Sequence, residues 1–339
     1  MRTQPIVFWF VTLLLATGAH AQDAPDVQAC AAYDAIPIPQ KDAGPAMPGC
    51  NASVLYYGAD GSTRGSDFTA ARKCAYAQRE ANATDDPFGG SSMLMMIYAN
   101  GRGVPRNIPL AKRFACEIDA PGYETESRIR KLDTMAKAKS TKAVFDACDD
   151  VGNDFMIGNC LWRDSKFADF KRERRIASLQ SSWTAGQKQA FGALRKAAED
   201  YFAASSDGEV THQGTMSVIF LNGHSEKLKD DFVKALERFE RGGQPSPGAD
   251  AYSAEDAKLN TTYKGWIRKL ALDEKHGESG VADVHAQGVQ DAQRKWLVYR
   301  EAWVAFAAAR YPSVPAGAWR AWLSHERIAT LKESATAEY

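Results

Sequence analysis

From residue 22 to the end, the sequence has no apolar run long enough to cross a membrane, so we expect no stable membrane span in that part of the chain. It also lacks a charge bias. Lys+Arg and Asp+Glu both total 42, which gives no case for nucleic acid or an anionic membrane as partner. Alternating β-branched residues are nearly absent, whereas good helix formers dominate from Cys50 onward. The sequence therefore predicts an all-α fold, with short α/α hairpin repeats followed by one or two small helical bundles.

Motifs of catalysis are missing as well. Neither Ser225 nor Ser279 lies in a G-x-S-x-G turn after a strand, so no nucleophile elbow can form. Adjacent acids such as Asp149 and Asp150 point in different directions, whereas glycosidase carboxylates converge across a cleft. The histidines form no H-x-x-x-H or H-E-x-x-H motif, and no phosphate-binding or dinucleotide fingerprint occurs. We predict a protein that is not an enzyme and uses no cofactor or metal.

The first 21 residues have the features of a secretory signal peptide. Arg2 gives a positive start, residues 6–16 are almost unbroken apolar sequence, and residues 19–21 (AHA) fit the small-x-small cleavage pattern. We predict cleavage before Gln22 and a periplasmic or secreted mature chain. Arg2 is the only charged residue of this segment, so its removal changes the formal net charge from 0 to −1.

Six cysteines remain after cleavage, and an even number in an oxidising compartment predicts three disulfides. No C-x-x-C occurs, so a zinc site is not expected. The spacing leaves other connectivities open, but the favoured pairing joins sequence neighbours and partners across a helical hairpin: Cys148 with Cys160, Cys50 with Cys74, and the remaining Cys30 with Cys116. All six precede residue 161, so packing alone must hold the C-terminal half together.

Residues 22–49, rich in Pro, Ala and Asp, are predicted to form an extended lead-in to a helical-hairpin region over residues 50–142. In this region the sequence repeats at an offset of 40. Each copy has the pattern of a helix, a glycine-containing turn and a second helix with small residues at packing positions. The equivalent pairs are Val54 and Leu94, Phe68 and Ile108, Ala71 and Ala111, and Ala75 and Ala115.

The second copy is similar to the Sel-one-like repeat family, the α/α relatives of tetratricopeptide repeats. The first copy is degenerate, because it lacks a clear second glycine and the valine of the pattern. The resemblance implies an adaptor or scaffold surface rather than catalysis. The residues that carry it are Met93, Leu94, Ile97, Tyr98, Gly101, Gly103, Val104, Ala111 and Ala115.

Three amphipathic helices with aromatic stripes are predicted between residues 252 and 334. A polar loop over residues 273–288 separates the first helix from the second, and two prolines break the chain before the third. Tryptophans at helical spacing favour a core over an exposed platform. We therefore expect four of them to be internal: Trp296, Trp303, Trp319 and Trp322.

This C-terminal unit resembles the lysozyme inhibitor LprI-like domain family in the pieces LNTTYK, AQRKWLVYREA and LSHERIATL. The family commonly carries cysteines in this unit, and this copy has none. The matching residues are Leu259, Asn260, Tyr263, Gln293, Trp296, Tyr299, Arg300, Glu326 and Arg327. Among these, Arg300 and Glu326 could pair across two helices or be presented to a partner, and we favour the pair. The resemblance implies a non-enzymatic binding protein with a lysozyme-type muramidase as its partner.

A weaker copy of the same unit is predicted upstream. The apolar spacing of residues 191–201 lines up with that of residues 296–306, and residues 145–160 look like a cysteine-bearing opening of the family unit. One interpretation is a divergent module over 143–241, a linker over 241–250 and a second module over 252–334. The other is a single domain with a long insertion. The basic run 171–175 (KRERR) is interpreted as a solvated helix face.

A muramidase inhibitor has to fill or cap a cleft built around two carboxylates. Polar loops on a rigid scaffold could do this, and the histidine-containing loops are the best candidates. They are the turn Asn222, Gly223 and His224, and the loop that holds His276, Glu278 and His285. The alternative function is an envelope scaffold or adaptor built on the hairpin repeats, with no contact to lysozyme.

Overall fold

The computed structural model describes residues 26–39, 48–81, 86–138, 144–149, 151–246, 251–276 and 283–337. The predicted signal peptide lies outside these residues. Within them the chain forms twelve helices and no strand, which confirms the all-α prediction. The helices are α1 (Asp26–Asp34), α2 (Ala52–Tyr57), α3 (Phe68–Glu80), α4 (Gly90–Asn100), α5 (Ile108–Cys116), α6 (Gly122–Lys137), α7 (Asp154–Gln180), α8 (Ala185–Glu209), α9 (Ser217–Glu240), α10 (Ala251–His276), α11 (Ala286–Arg310) and α12 (Ala316–Thr336).

Helices α2 to α5 form two consecutive hairpins around a shared core, in which Leu94, Met96 and Phe114 are fully buried. Asp67 precedes α3 and Asn107 precedes α5, and each side chain accepts a backbone N–H as an N-cap. The two capping residues are separated by the same offset as the sequence repeat. Helix pairs therefore occupy both copies, while their assignment to the Sel-one-like family stays a prediction.

The turns of the two hairpins share an unusual backbone angle. Gly103 has φ 68°, and Thr63, at the equivalent position of the first copy, has φ 59°. A β-branched residue rarely adopts this left-handed conformation. The two turns therefore share this geometry although only one of them has glycine at the position, and the first copy forms a hairpin despite its degenerate sequence.

The described residues up to Cys160, which contain α1 to α6 and the start of α7, form what we call the N-terminal lobe. Three disulfides cross-link it, in the pairing that the sequence analysis favoured. They join Cys30 of α1 to Cys116 of α5, Cys50 to Cys74 of α3, and Cys148 to Cys160 of α7. The predicted extended lead-in is wrong for residues 26–34, which form α1. So short a helix is marginal by itself, and the disulfide and the packing of α1 against α5 and α6 stabilise it.

Helices α7 to α12 surround a second hydrophobic core, and α7 reaches both cores through Cys160 near its start and Ile176 near its end. These six helices form two consecutive sets of three, α7 to α9 and α10 to α12. In each set the first and third helices run in the same direction. In the first set, Ser165 donates to Asn222 at 2.8 Å and Arg175 pairs with Glu237 at 2.7 Å, so α7 and α9 keep a parallel register.

The two sets of three helices have similar lengths, 27, 25 and 24 residues for α7 to α9 against 26, 25 and 21 for α10 to α12. The predicted linker falls between them, since α9 ends at Glu240 and α10 begins at Ala251. These lengths agree with a duplicated module. The division at 143–241 and 252–334 stays a prediction, and the core places Cys148 and Cys160 with the N-terminal lobe.

The middle helices, α8 and α11, form the most extensive helix contact of the bundle. They run antiparallel, because Gln187 near the start of α8 donates to the carbonyl of Ala309 near the end of α11 at 3.1 Å. At the other end Gly208 meets Gly288. A Cβ built on Gly208 would lie only 2.4 Å from the Gly288 carbonyl oxygen, so the two backbones are as close as glycine allows.

Aromatic rings fill the space around this pair of helices. Trp303 has no exposed surface, stacks on Trp319 at 6.3 Å between ring centroids, and meets Phe232 and Phe239 edge-on. Trp296 and Trp319 are also buried, and Trp322 is half-buried. The tryptophan stripes therefore belong to the core, as their spacing predicts, and edge-to-face contacts of this kind stabilise it beyond simple burial.

Gly208→Ala is expected to lower the free energy of unfolding by at least about 2 kcal/mol. The added methyl group would overlap the Gly288 backbone, which has no rotamer to move away. Urea denaturation followed by circular dichroism measures the effect. The control is Gly192→Ala in the same helix, where a Cβ meets nothing within 4 Å and where stability should rise by up to about 1 kcal/mol. Equal effects of the two substitutions would contradict the close approach.

Candidate functional site

The connections between α8 and α9 and between α10 and α11 meet at one end of the bundle. Asp283 joins them, because its carboxylate accepts the Thr211 hydroxyl at 2.8 Å and the His212 backbone N–H at 3.1 Å. Glu274, in the last turn of α10, accepts the Ala286 backbone N–H at 3.2 Å. We call the described residues 207–212, 274–276 and 283–286 the loop end. Side-chain hydrogen bonds therefore tie the described parts of the two connections to each other and to the start of α11.

Polar side chains cover the outer surface of the loop end. Asp207 is 87% exposed and His285 is 63% exposed. His212 donates from Nε2 to the Asp207 carbonyl at 3.0 Å, and His285 Nδ1 lies 3.3 Å from the Glu274 carboxylate. The imidazoles are thus oriented by neighbours but open to solvent. Such an arrangement can form hydrogen bonds with a partner surface without first ordering a loop.

A fully buried ion pair lies directly beneath the loop end. Arg327 of α12 donates through both terminal nitrogens to Glu209, the last residue of α8, and neither side chain has any exposed surface. Arg327 also donates to the Tyr201 hydroxyl at 3.0 Å and to the Gln293 amide oxygen at 3.0 Å. This network therefore connects α8, α11 and α12 at the loop end.

The pair is stabilised by geometry rather than by burial itself. Burial lowers the pKa of the Arg327 guanidinium, but the Glu209 carboxylate and the Tyr201 hydroxyl more than offset this, so the pKa is raised overall. The bidentate fork satisfies both carboxylate oxygens. Loss of either partner would leave an uncompensated charge in the core, which is far more costly than loss of a surface pair.

Ser205 extends the network to α9. Its hydroxyl donates to Glu209 at 2.7 Å and lies 2.9 Å from Nε2 of His224. A hydroxyl has one proton, so His224 must be the donor and carries its hydrogen on Nε2. Ser205 resembles a nucleophile beside a base, but its proton is committed to a carboxylate and its side chain is fully buried. The arrangement is structural.

The family-motif residues divide between the core and this network. Leu259, Trp296 and Tyr299 are buried in the bundle core, and Tyr263 packs against it. Asn260 is exposed and donates to the carbonyl and the carboxylate of Asp256, one turn earlier. Most of the motif residues therefore contribute to the packing of α10 to α12.

The expected pair of Arg300 with Glu326 does not form. Arg300 instead pairs with Asp256 at 3.3 Å and with Glu301 at 2.9 Å. Glu326 is exposed and accepts the indole N–H of Trp322 at 3.0 Å. The correction follows from helix geometry, because the next residue along, Arg327, points inward and takes the interhelical role assigned to Arg300.

The turn predicted at Asn222, Gly223 and His224 is also wrong. These residues lie inside α9, where Asn222 accepts from Ser165 and His224 bonds Ser205. Glycine at this position is tolerated within a helix that tertiary packing holds on both sides. The α8–α9 connection lies earlier in the chain, at residues 210–216, and places His212 rather than His224 at the surface.

The second predicted loop is shorter than expected. α10 continues to His276, so the predicted start at residue 273 falls inside the helix, and His285 lies at the N-cap of α11. Glu278 lies outside the described residues. The structure thus brings His276 and His285 to the loop end, and adds His212 and Asp283, which the sequence analysis did not select.

Two charged residues have roles that sequence reasoning missed. Glu209 was not selected as the partner of Arg327, although an acid at the C-terminal end of a helix is unfavourable for the helix dipole and can signal a tertiary partner. Arg172, in the run interpreted as a solvated face, is buried and contacts Asp169, Glu226 and Asp230. The solvated-face interpretation is therefore wrong for Arg172.

Glu209→Gln is expected to lower the free energy of unfolding by about 3 kcal/mol, because Arg327 would stay charged in the core without its counter-ion. Urea denaturation gives the difference. Glu326→Gln is the matched control, as Glu326 is exposed and one residue from Arg327, and its effect should stay within about 0.5 kcal/mol. If the two variants lose the same stability, the buried pair is not the link between these helices.

The stability of the bundle should also depend on His224. Burial lowers the pKa of the imidazole, although the nearby Glu209 and Glu333 carboxylates oppose the shift. The folded state therefore binds its proton less readily than the unfolded state, and the stabilisation is complete above a pH of about 6.5 and lost as the pH falls below it. His224→Gln should remove this component from unfolding curves measured across that range. His325→Gln, at an exposed site, should leave it unchanged.

Among the described residues, none of the helices combines the length and the apolar character that a membrane span requires. The same part of the chain holds no group of three or more His, Cys, Asp or Glu side chains placed to bind a metal ion. No curated protein and no solved structure matches the chain.

One family model does match. Its description is Lysozyme inhibitor LprI, and it covers residues 248–338. That segment contains α10 to α12 and every residue on which the LprI resemblance was based, whereas the Sel-one-like resemblance upstream stays a prediction. The LprI resemblance is thereby confirmed, and the C-terminal helices of this chain, residues 248–338, match a family of lysozyme inhibitors.

Proposed function

We propose that this protein is exported to the periplasm or beyond and binds a lysozyme-type muramidase, which it inhibits through the loop end. The observation that carries the proposal is the match of residues 248–338 to the lysozyme inhibitor family. The three disulfides support the compartment, because such bonds persist in oxidising environments. The loop end supports the contact surface, because it is polar, exposed and tethered.

Rigidity is the main reason to choose the loop end. Asp283 ties the two connections to each other, and the Arg327 and Glu209 pair holds the helix ends beneath them. A surface fixed before binding loses little conformational entropy on association. A flexible loop of the same composition would lose more, and would compete poorly with a glycan substrate for the cleft.

The chemistry of the loop end suits a carboxylate-lined cleft. A muramidase cleft contains two carboxyl groups, and an occupant that reaches them needs hydrogen-bond donors. In each imidazole one ring nitrogen is bonded within the loop end; the other, on a side chain that is 45% exposed in His212 and 63% exposed in His285, donates to a carboxylate when the ring is protonated. The flanking carboxylates of Asp207 and Glu274 provide local negative charge that complements a cationic enzyme, although the net charge of the whole chain is close to zero.

The test is a turbidity assay in which lysozyme clears a suspension of cell walls. An excess of the purified protein should slow the clearing. The double substitution His212→Ala and His285→Ala should raise the concentration required for half-inhibition by at least tenfold, roughly 1.4 kcal/mol of binding free energy. Both side chains are exposed, so the fold should be retained, and circular dichroism checks this.

His325→Ala is the matched control, since His325 is 72% exposed and its imidazole lies beside Glu255 near the start of α10, whereas the loop end contains the last turn of that helix. Its inhibition should equal that of the unmodified protein. If excess protein does not slow clearing, the inhibitor function is excluded and the adaptor alternative is favoured. If the double variant inhibits as well as the control, the loop end is not the contact surface.

A further inference from the structure

A second surface, which shares no residue with the loop end, has the composition of a ligand site. It is a groove of about 800 Å³ between the start of α2, the turn that follows α2, and the first half of α7. Three large apolar side chains on it face solvent: Val54 is 64% exposed, Phe155 is 70% exposed and Trp162 is 62% exposed. Exposed apolar groups clustered around a concave surface are typical of binding sites rather than of ordinary protein surface.

The two aromatic rings are regularly spaced. Phe155 and Trp162 are seven residues apart on α7, so they lie on the same helix face, and both line the groove. Two turns of helix separate them by about 10.5 Å along the axis. That distance is close to the length of one disaccharide unit in a β-1,4-linked glycan, whose sugar rings present apolar C–H faces to aromatic side chains.

Hydrogen-bonding groups lie between and around the rings. Asn159, halfway between Phe155 and Trp162, uses one amide hydrogen for the Phe155 carbonyl at 2.8 Å, which leaves its amide oxygen and second hydrogen for a ligand. Asn51 and Ser53 line the opposite wall. Amides and hydroxyls of this kind match the hydroxyl and acetamido groups of an aminosugar.

Asp86 adds a carboxylate to the groove. One of its oxygens accepts the Phe88 backbone N–H at 2.9 Å, and the other, Oδ2, is buried and has no hydrogen-bond partner among the described residues. A buried acceptor without a donor is unfavourable. A sugar hydroxyl that entered the groove could supply the missing hydrogen after a small rotation of the carboxylate.

The charges of the groove favour a neutral ligand. Its carboxylates, Asp86 and Asp154, are matched by the cations Arg163 and Lys166. Arg163 is buried and pairs with a carboxylate outside the groove, and the Lys166 ammonium lies 5.3 Å from the centre of the Trp162 ring. With Arg163 paired elsewhere, Lys166 is, among the described residues of the groove, the one cation left beside two carboxylates, so the groove has no excess positive charge to select a phosphate, a nucleic acid or an acidic peptide.

We propose that the groove of Val54, Phe155 and Trp162 binds a β-1,4-linked N-acetylaminosugar glycan, with the two aromatic rings stacked on alternate sugars. The groove continues past Phe155 into a second depression of about 1040 Å³ that shares Asp86, Pro87 and Phe155 with it. The site is therefore long enough for several sugar units. It is separate from the loop end, so it does not depend on muramidase inhibition.

The experiment is isothermal titration calorimetry, in which the β-1,4-linked tetramer of N-acetylglucosamine is added to the full mature protein. Binding in the micromolar to millimolar range is expected. Trp162→Ala and Phe155→Ala should each weaken it by at least tenfold, and Trp162→Phe, which keeps an aromatic face, should retain most of it. Val298→Ala is the matched control, because Val298 is an apolar residue on α11 that is 60% exposed, and its affinity should not change.

The lysozyme assay separates this proposal from the previous one. Trp162→Ala should lose glycan binding and keep any inhibition, whereas the histidine variant should do the reverse. No binding of the tetramer at millimolar concentration would overturn the proposal. So would binding that survives both Trp162→Ala and Phe155→Ala, or binding of an apolar peptide in the groove without binding of the tetramer.

Discussion

The approach of α8 to α11 at Gly208 and Gly288 determines how the rest of the bundle can be arranged. With no side chain at either position, the backbones touch, and Glu209, the next residue, is carried into the interior. A carboxylate in that position requires a cation, and Arg327 of α12 is the cation that reaches it. The close contact of two glycines thus places an acid in the core, and that acid in turn requires a buried cation.

The same constraint shapes the candidate site. The connections that form the loop end start at the helix ends that the glycine contact and the ion pair bring together, so their separation follows from the core. The Asp283 carboxylate is then close enough to accept hydrogen bonds from Thr211 and His212 across the two connections. Polar residues on such a support need no further ordering to meet a partner. The proposed contact surface and the core are parts of one arrangement, and the family motif contains more core residues than surface residues.

Much of the fold was predictable, because helical periodicity, caps and glycine turns act locally. The aromatic stripes of α11 and α12 and the hairpins of the N-terminal lobe follow from spacing along the chain. The favoured cysteine pairing, one of several that the spacing leaves open, is the one that the structure has. The errors lie where long-range contacts decide. Arg300 and Arg327 are both arginines on helix faces, and only the packing of α8 shows which of them pairs with a fully buried acid. Asn222, Gly223 and His224 have turn composition, but contacts to α7 and α8 keep them helical. Exposure of Phe155 and Trp162 is likewise visible only in three dimensions.

The distribution of disulfides divides the molecule into two parts that respond differently to their surroundings. All three bonds lie in the N-terminal lobe, and the bundle beyond residue 161 has none. In a reducing compartment the lobe would lose its cross-links, each of which stabilises a fold by about 2–4 kcal/mol. The bundle would keep its aromatic core. Because α7 runs through both parts, its first turns would loosen with the lobe while Arg172 and Arg175 keep its far end attached to α9. We therefore expect the groove on those first turns to reach its final shape only after oxidation, and the loop end to form without it.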